Sequence, residues 1–340
     1  MTAPVAIDAR AAVRGETGGV ERLAREWTAH LPRISPGRYQ PLAPRPALAH
    51  RAGHAWEQVW LPAAARHARL LVCPANLAPL ASSRNVVVIH DLAALAHPEW
   101  YSRPYALWQG AALPRIARRA RLVITVSEFS RAEIAERLRV PAARIRVIPN
   151  GVSERFSPRA DQEAARSALR LERPYVLAVG TRIARKNLGV LVEAAGALAG
   201  HGIELVTAGG GRGYMDAGGP APGRALGYVP EEHLPGLYAG ALALAMPSMY
   251  EGFGLPCLEA MASGTPVVAA RAGALPEVCG HAALLADPHD PAAFAEALLR
   301  ACGPDAERLS AAGLERAEGR GWDRSARLAD LAIGELLLSA

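Results

Sequence analysis

The run Leu242-Ala-Leu-Ala-Met-Pro-Ser-Met-Tyr-Glu251-Gly-Phe-Gly-Leu-Pro-Cys-Leu-Glu259 contains a strand, a turn and a helix start in order. Leu242–Met246 is apolar and reads as a buried strand that Pro247-Ser248 ends. Leu255–Ala262 has helix-forming residues, with Pro256 suited to a first helical turn. Glu251 then lies in the loop, and Glu259 a little over one turn into the helix. Gly252 and Gly254 let backbone come close to a ligand, and a helix start offers unpaired N–H groups and a positive dipole end to a phosphate. One carboxylate can accept hydrogen bonds from sugar hydroxyls and the other from a ribose. The run therefore has the parts of a sugar-nucleotide site, although a plain strand–loop–helix with two solvated glutamates would use the same letters.

Working outward, apolar runs alternate with helical patterns along the whole chain. Val5–Ile7 leads through Gly18-Gly19 into the amphipathic stretch Val20–Leu31, and Leu70–Cys73, Val86–Ile89, Leu122–Val126 and Ile145–Ile148 read as further strands. Ser127-Glu-Phe-Ser130 carries helix-start chemistry ahead of Arg131–Leu138. After the turn chemistry of Pro149-Asn-Gly-Val-Ser153, a second series of strands begins at 175–179, 203–207, 242–246 and 266–269, and Asp323–Leu338 reads as a last helix. Residues 32–66, rich in proline and arginine, receive no assignment. Strands alternating with helices give an α/β fold with parallel sheets covered on both faces. The expected organisation is two Rossmann-like domains facing across a cleft. The first covers 1–155 and the second 156–322, with the helix 323–340 a candidate to pack back on the first.

Charge separates the two halves. Residues 1–150 hold 21 arginines and 10 acidic residues, a net of +11; residues 151–340 hold 17 basic and 22 acidic residues, a net of −5, which together give the +6 of the 340-residue chain. A basic first half suits an anionic membrane surface or a lipid-phosphate acceptor, and equally a solvated arginine-rich surface. Pro114-Arg-Ile-Ala-Arg-Arg-Ala-Arg121 allows the same two readings. Low aromatic content and the lack of a nucleic-acid signature speak against DNA or RNA. No apolar run approaches the roughly 20 residues that span a bilayer, and the N-terminus reads as a first strand and not as a signal peptide. Cys73, Cys257, Cys279 and Cys302 have no Cys-x-x-Cys spacing, which fits a reduced cytosol without structural zinc.

The basic residues carry one further signal. Of 38, only Lys186 is lysine, and it lies in Val179-Gly-Thr-Arg-Ile-Ala-Arg-Lys-Asn187, after the strand Tyr175–Val179 and before a helical pattern over Leu188–Leu198. Loops at the carboxyl ends of strands are where open α/β sheets bind ligands. An ammonium there is a compact charge that follows phosphate oxygens, where arginine offers a flat fork.

These residues together resemble the retaining GT-B glycosyltransferases of family 4, named for an E-x7-E motif. The resemblance is densest between Tyr175 and Pro288: VGTRIARKN, the glycines at 209–211, GYVPEEHLPGLYAGA at 227–241, PSMYEGFGLPCLEAMASGTPVVA at 247–269 and GALPEV at 273–278 occur in order. TGGVERLARE, VVVIHDLAALAHPEWYS, ITVSEFSRAEI and VIPNGVSERFSP carry it more loosely through the first half. The resemblance implies that Lys186 holds the donor diphosphate. The second cation is Arg182 or Arg185, because Thr181 stands where many relatives place arginine. It further implies that Glu251 contacts the donor sugar beside Gly252-Phe253-Gly254, that Gly254 and Leu255 meet a phosphate, and that Glu259 binds the ribose. Gly227, Tyr228 and Val229 would flank the base. In the first half, Gly18 and Gly19 would shape the phosphate and acceptor side, and a glycine pair entering a helix gives the same pattern. His90 would lie against the transferred sugar, with Asp91 on the acceptor side.

The expected chemistry is metal-independent transfer with retention by front-face attack, the leaving phosphate taking the acceptor proton. No Asp-x-Asp occurs, and no cofactor is expected. Lys186, Glu251 and His90 are the catalytic candidates. The RKN loop, HDL followed by HPEWYS, and PSMYEGFGLP resemble bacterial mannosyltransferases of polysaccharide assembly. That favours GDP-mannose over UDP-sugars, a saccharide or lipid-linked saccharide as acceptor, and a cytoplasmic location peripheral to the inner face of the membrane. A GT-B epimerase or hydrolase and a non-catalytic sugar-nucleotide-binding subunit stay open. A Rossmann dehydrogenase is disfavoured, because no Gly-x-Gly-x-x-Gly follows the first strand.

Overall fold

The computed structural model describes residues 4–15, 18–45, 55–210 and 222–338. The chain forms two compact units, one of residues 1–96, 106–151 and 320–340 and the other of residues 97–105 and 152–319. Each is built on a six-stranded, wholly parallel sheet.

In the first unit the strands are β1 (Val5–Asp8), β2 (Tyr39–Leu42), β3 (Leu70–Cys73), β4 (Asn85–Val88), β5 (Leu122–Thr125) and β6 (Ile145–Val147). Their order across the sheet is β2-β1-β3-β4-β5-β6. Central strands such as β3 are buried on both faces, so they read as unbroken apolar runs with no alternation. Helices Gly19–Ile34, Arg103–Arg119 and Glu128–Leu138 connect them. Ser127 caps the last of these, its side chain accepting from the Ser130 N–H at 3.1 Å. The previously unassigned stretch holds β2 and a helical segment over 56–64; residues 46–54 lie outside the described part.

The C-terminal helix Trp322–Leu338 belongs to the first unit and packs along Gly19–Ile34. The Trp27 indole N–H donates to Ser325 Oγ at 3.2 Å. Asp330 accepts from Ser35 Oγ at 2.9 Å, Arg38 at 2.7 Å and the Tyr39 hydroxyl at 2.6 Å. This single carboxylate therefore ties the last helix to the loop that starts β2.

A buried charged cluster follows β1. Arg10 pairs with Glu57, and the Trp56 indole donates to Asp8 Oδ1 at 3.0 Å. Burial, offset in part by Arg10 and reinforced by Asp8, pushes the Glu57 carboxyl up to about 7. Between its ordinary value near 4.5 and about 7, the folded chain holds a proton that the unfolded chain releases. Stability therefore falls as pH rises through that window, by about 3 kcal/mol for a shift of this size. Glu57→Gln, neutral throughout, is expected to flatten the decline in Tm between pH 5 and 8; parallel profiles for mutant and wild type would refute this.

In the second unit the strands are β7 (Tyr175–Val179), β8 (Glu204–Ala208), β9 (Arg224–Gly227), β10 (Ala243–Met246), β11 (Val267–Ala270) and β12 (Ala283–Ala286), ordered β12-β11-β10-β7-β8-β9. The chain builds outward from β7 through β8 and β9, then returns to place β10 on the other side of β7. The β7–β10 junction is thus the point where strand order reverses, the place where open parallel sheets take ligands at their carboxyl ends. Among the described residues, no helix of either unit is long and apolar enough to cross a membrane.

Candidate functional site

The loops leaving the two strands of that junction carry Lys186 and Glu251. After β7, a single 3-10 turn, Ala184–Lys186, brings two cations towards the loop that follows β10. Lys186 Nζ lies 2.6 Å from Glu251 Oε1, and Arg185 reaches Glu251 Oε2 at 3.6 Å while donating to the Tyr250 carbonyl at 3.1 Å. The Met249 N–H donates to the Arg185 carbonyl at 2.9 Å. The Lys186 stem passes so close to Gly180 that a Cβ there would lie 3.0 Å from its Cε. Glycine at the end of β7 is what leaves room for it.

Lys186 is 8% exposed and Glu251 7%. Burial by itself pushes the Glu251 carboxyl up, but the nearby charges of Lys186 and then Arg185, with the Lys186 hydrogen bond, outweigh it and hold the group below the ordinary carboxylate range. The cluster is thus an ionised carboxylate flanked by two cations, with more positive than negative charge at a strand-end junction.

Beyond Glu251 the chain passes Gly252 and Phe253, both buried, into the helix Leu255–Ala262. Gly254 caps that helix at φ 97°, a left-handed conformation that strains residues bearing a Cβ, and Leu275 occupies the space a Cβ would need. Glu259 is buried in the second turn. The remaining strand ends converge here too. Gly180 N–H donates to the Ala208 carbonyl at 2.9 Å and Gly209 N–H to the Gly227 carbonyl at 2.7 Å, which ties the end of β7 to that of β8 and sets the Gly227–Val229 loop beside the end of β8. Within that loop Tyr228 is 60% exposed and Val229 is buried.

The second unit also contains residues 97–105. His97 stacks on Trp100 with ring centroids 4.0 Å apart and meets Tyr250 edge-on at 5.7 Å. The HPEWYS segment therefore packs against the residue that immediately precedes Glu251.

The first unit places its candidates around the ends of β1, β3 and β4. Gly18 caps the helix Gly19–Ile34, and its N–H donates to Glu21 Oε2 at 3.1 Å. The glycine pair is thus a helix entry. His90 is buried, its ring Nε2 lying 2.8 Å from the Pro74 carbonyl and its backbone N–H donating to Asn76 Oδ1 at 2.8 Å. Burial lowers its pKa, so the ring is neutral near pH 7. A carbonyl can only accept, so Nε2 carries the proton and Nδ1 the lone pair. Asp91 Oδ1 accepts from the Ala93 N–H at 3.1 Å.

Comparison with known proteins places this geometry. Residues 173–303 match the family model described as Glycosyl transferases group 1, and residues 54–156 match Glycosyltransferase Family 4. The chain is 36% identical over 257 residues to the O-antigen chain mannosyltransferase B of Escherichia coli, covering 71% of this chain and 67% of that protein. The chain belongs to the GT-B glycosyltransferases of family 4. It is also 32% identical over 204 residues to the MMP alpha-(1->4)-mannosyltransferase of Mycolicibacterium hassiacum, covering 55% of this chain but only 46% of that enzyme. Among solved structures, the sucrose-phosphate synthase of Thermosynechococcus elongatus superposes with a TM-score of 0.76 at 21% identity over 99% of this chain and 100% of that one. Anabaena HepE in complex with UDP and glucose superposes at 0.71 with 17% identity, again over 99% and 100%. At those identities the likeness concerns the fold.

Of the residues expected for a family 4 site, the second unit draws together Arg185, Lys186, Glu251, Gly252, Phe253, Gly254, Leu255 and Glu259, with Gly227, Tyr228 and Val229 on the neighbouring strand ends. The Arg182 side chain is exposed, and its N–H donates to the Gly210 carbonyl at 2.9 Å. Gly18, Gly19, His90 and Asp91 belong to the first unit. Sequence reasoning missed three contributors: Gly180, Asn187 and the His97–Tyr250 contact. A glycine directly after an apolar strand, at the head of the loop that holds the sole lysine, and an asparagine just after that lysine were the available signals.

Proposed function

We propose that this glycosyltransferase moves a hexose, mannose from GDP-mannose, to a saccharide or lipid-linked saccharide acceptor, with retention of configuration and without a metal. The observation that carries the reading is the Arg185–Lys186–Glu251 cluster at the β7–β10 junction, next to the start of the helix Leu255–Ala262. Two cations and a helix N-terminus suit a diphosphate leaving group, and the carboxylate beside them suits the sugar hydroxyls. The mannosyltransferase relatives support the donor. In the transfer, the bond from the anomeric carbon to the phosphate oxygen breaks, and a bond to the acceptor oxygen forms on the same face. The acceptor proton passes to the departing diphosphate. Glu251 orients the donor and forms no covalent intermediate.

Thermal shift with GDP-mannose, UDP-glucose and ADP-glucose tests the donor. GDP-mannose is expected to raise Tm by several degrees at concentrations well above its Kd, with smaller effects from the others. A larger shift with UDP-glucose would overturn the choice of base, and no shift with any of them would overturn the donor site. On the acceptor side, the net +11 of residues 1–150 suits an anionic saccharide-lipid surface, with contact weakening as salt rises.

A further inference from the structure

Lys186 carries a compact charge on a long, many-jointed stem, and something must fix where its loop sits. The next residue does. Asn187 adopts φ 52° and ψ 36°, a left-handed conformation that asparagine tolerates better than most side chains. From there its carboxamide Nδ2 donates to two backbone carbonyls, Pro288 at 2.7 Å and Pro247 at 3.3 Å. Pro247 is the first residue after β10, and Pro288 the second after β12. One amide group therefore ties the loop leaving β7 to the loops leaving two other strands of the same sheet. The tie to Pro247 lies four residues before Glu251, and the Arg185 carbonyl and guanidinium hold Met249 and Tyr250 between those points. Arg185, Lys186 and Asn187 thus bracket the whole segment 247–251 from one side.

We propose that Asn187 is a positioning residue of the donor site, setting the place of the Lys186 ammonium relative to the donor diphosphate through the two carbonyls its amide engages. This rests on the donor-site reading given above. Both acceptors are carbonyls, so the role requires a donor. Aspartate has the same shape and a similar tolerance of the left-handed region but presents only acceptor oxygens, which would face those carbonyls. Glycine keeps the backbone conformation and removes the tether altogether.

The test uses the full chain with Asn187→Asp and Asn187→Gly. GDP and UDP are titrated against wild type first, and the one that binds is compared with its monophosphate. Both variants are expected to weaken diphosphate binding about tenfold, to bind the monophosphate within about threefold of wild type, and to raise the donor KM more than they lower kcat. A residue acting only on folding would lower Tm and weaken both nucleotides alike, and that pattern would overturn the proposal. So would diphosphate binding and KM unchanged in both variants. Should the aspartate variant fail to fold, the glycine variant alone carries the comparison. Wild type binding neither diphosphate would refute the donor-site reading itself and this role with it, whereas a normal wild type with unaffected variants refutes only the role of Asn187.

Discussion

Lys186→Ala is expected to lower kcat/KM for sugar transfer by about 100- to 1000-fold, the usual consequence of removing one preorganised charge from a transition state. Departure of a nucleoside diphosphate builds negative charge on its outer phosphate. The lysine is largely buried, so its charge acts there with little screening by water. The same substitution removes the strongest of the influences that hold the Glu251 carboxyl below its ordinary range, leaving Arg185 at 3.6 Å against the upward push of burial. Residual activity in the mutant should consequently fall off at a higher pH than wild-type activity does, because Glu251 takes up a proton more readily without Lys186. Lys186→Arg keeps the charge but brings a planar fork into space that Gly180 leaves for a narrow stem, and it should restore no more than part of the loss. Steady-state rates across pH 5–8 for the three proteins check all of this. Rates within threefold of wild type for the alanine variant would remove Lys186 from the mechanism.

The sequence patterns that worked and those that failed divide along a physical line. Interior strands of a parallel sheet are buried on both faces and spell continuous apolar runs, so β1, β3 to β5, β7, β8, β10 and β11 were visible, and of the four edge strands only β6, read as Ile145–Ile148, was visible with them. The strands that escaped, β2, β9 and β12, all lie at sheet edges. Tyr39-Gln-Pro-Leu42 carries a proline, tolerated in a sheet only where an N–H can be spared. Arg224-Ala-Leu-Gly227 is half exposed, and Ala283-Leu-Leu-Ala286 has helix-forming composition.

The candidate site divides in a similar way. Lys186 and Glu251 were legible because glycine and proline punctuate their loops after strongly apolar strands. The Arg185–Glu251 pairing was not, because it depends on a 3-10 turn that aims Arg185 at Glu251 while Arg182 stays exposed. The tether from Asn187 to Pro247 and Pro288 spans 60 and 101 residues of sequence, beyond the reach of any local pattern. The same holds for residues 97–105. They follow a first-unit strand in the sequence, yet they pack in the second unit against Tyr250.

Glu251→Gln separates holding the nucleotide from orienting the sugar, two roles that Lys186→Ala would remove together. In the unliganded chain Glu251 pairs with both Lys186 and Arg185 and offsets one of their two charges. Losing one partner of a buried ion pair typically costs about 3–5 kcal/mol, because the other charge stays behind unpaired. The glutamine variant should therefore unfold several degrees below wild type at neutral pH. That difference follows the ionisation of the carboxylate. Its folded pKa is lowered, so the stabilisation it gives is complete above the ordinary value near 4.5 and disappears as pH falls through the lowered one. The two proteins should converge in acid. A diphosphate supplies the missing negative charge, so nucleoside diphosphate should raise Tm more in the variant than in wild type and bind at least as tightly. Transfer should nevertheless fall about 100-fold, because the sugar loses a charged acceptor for its hydroxyls and with it the geometry of attack. Tighter nucleotide binding with slower transfer is the signature of a carboxylate that orients the donor sugar. Equal loss of both would mean that Glu251 serves chiefly to build the phosphate site, and undiminished transfer would remove it from the donor's contacts.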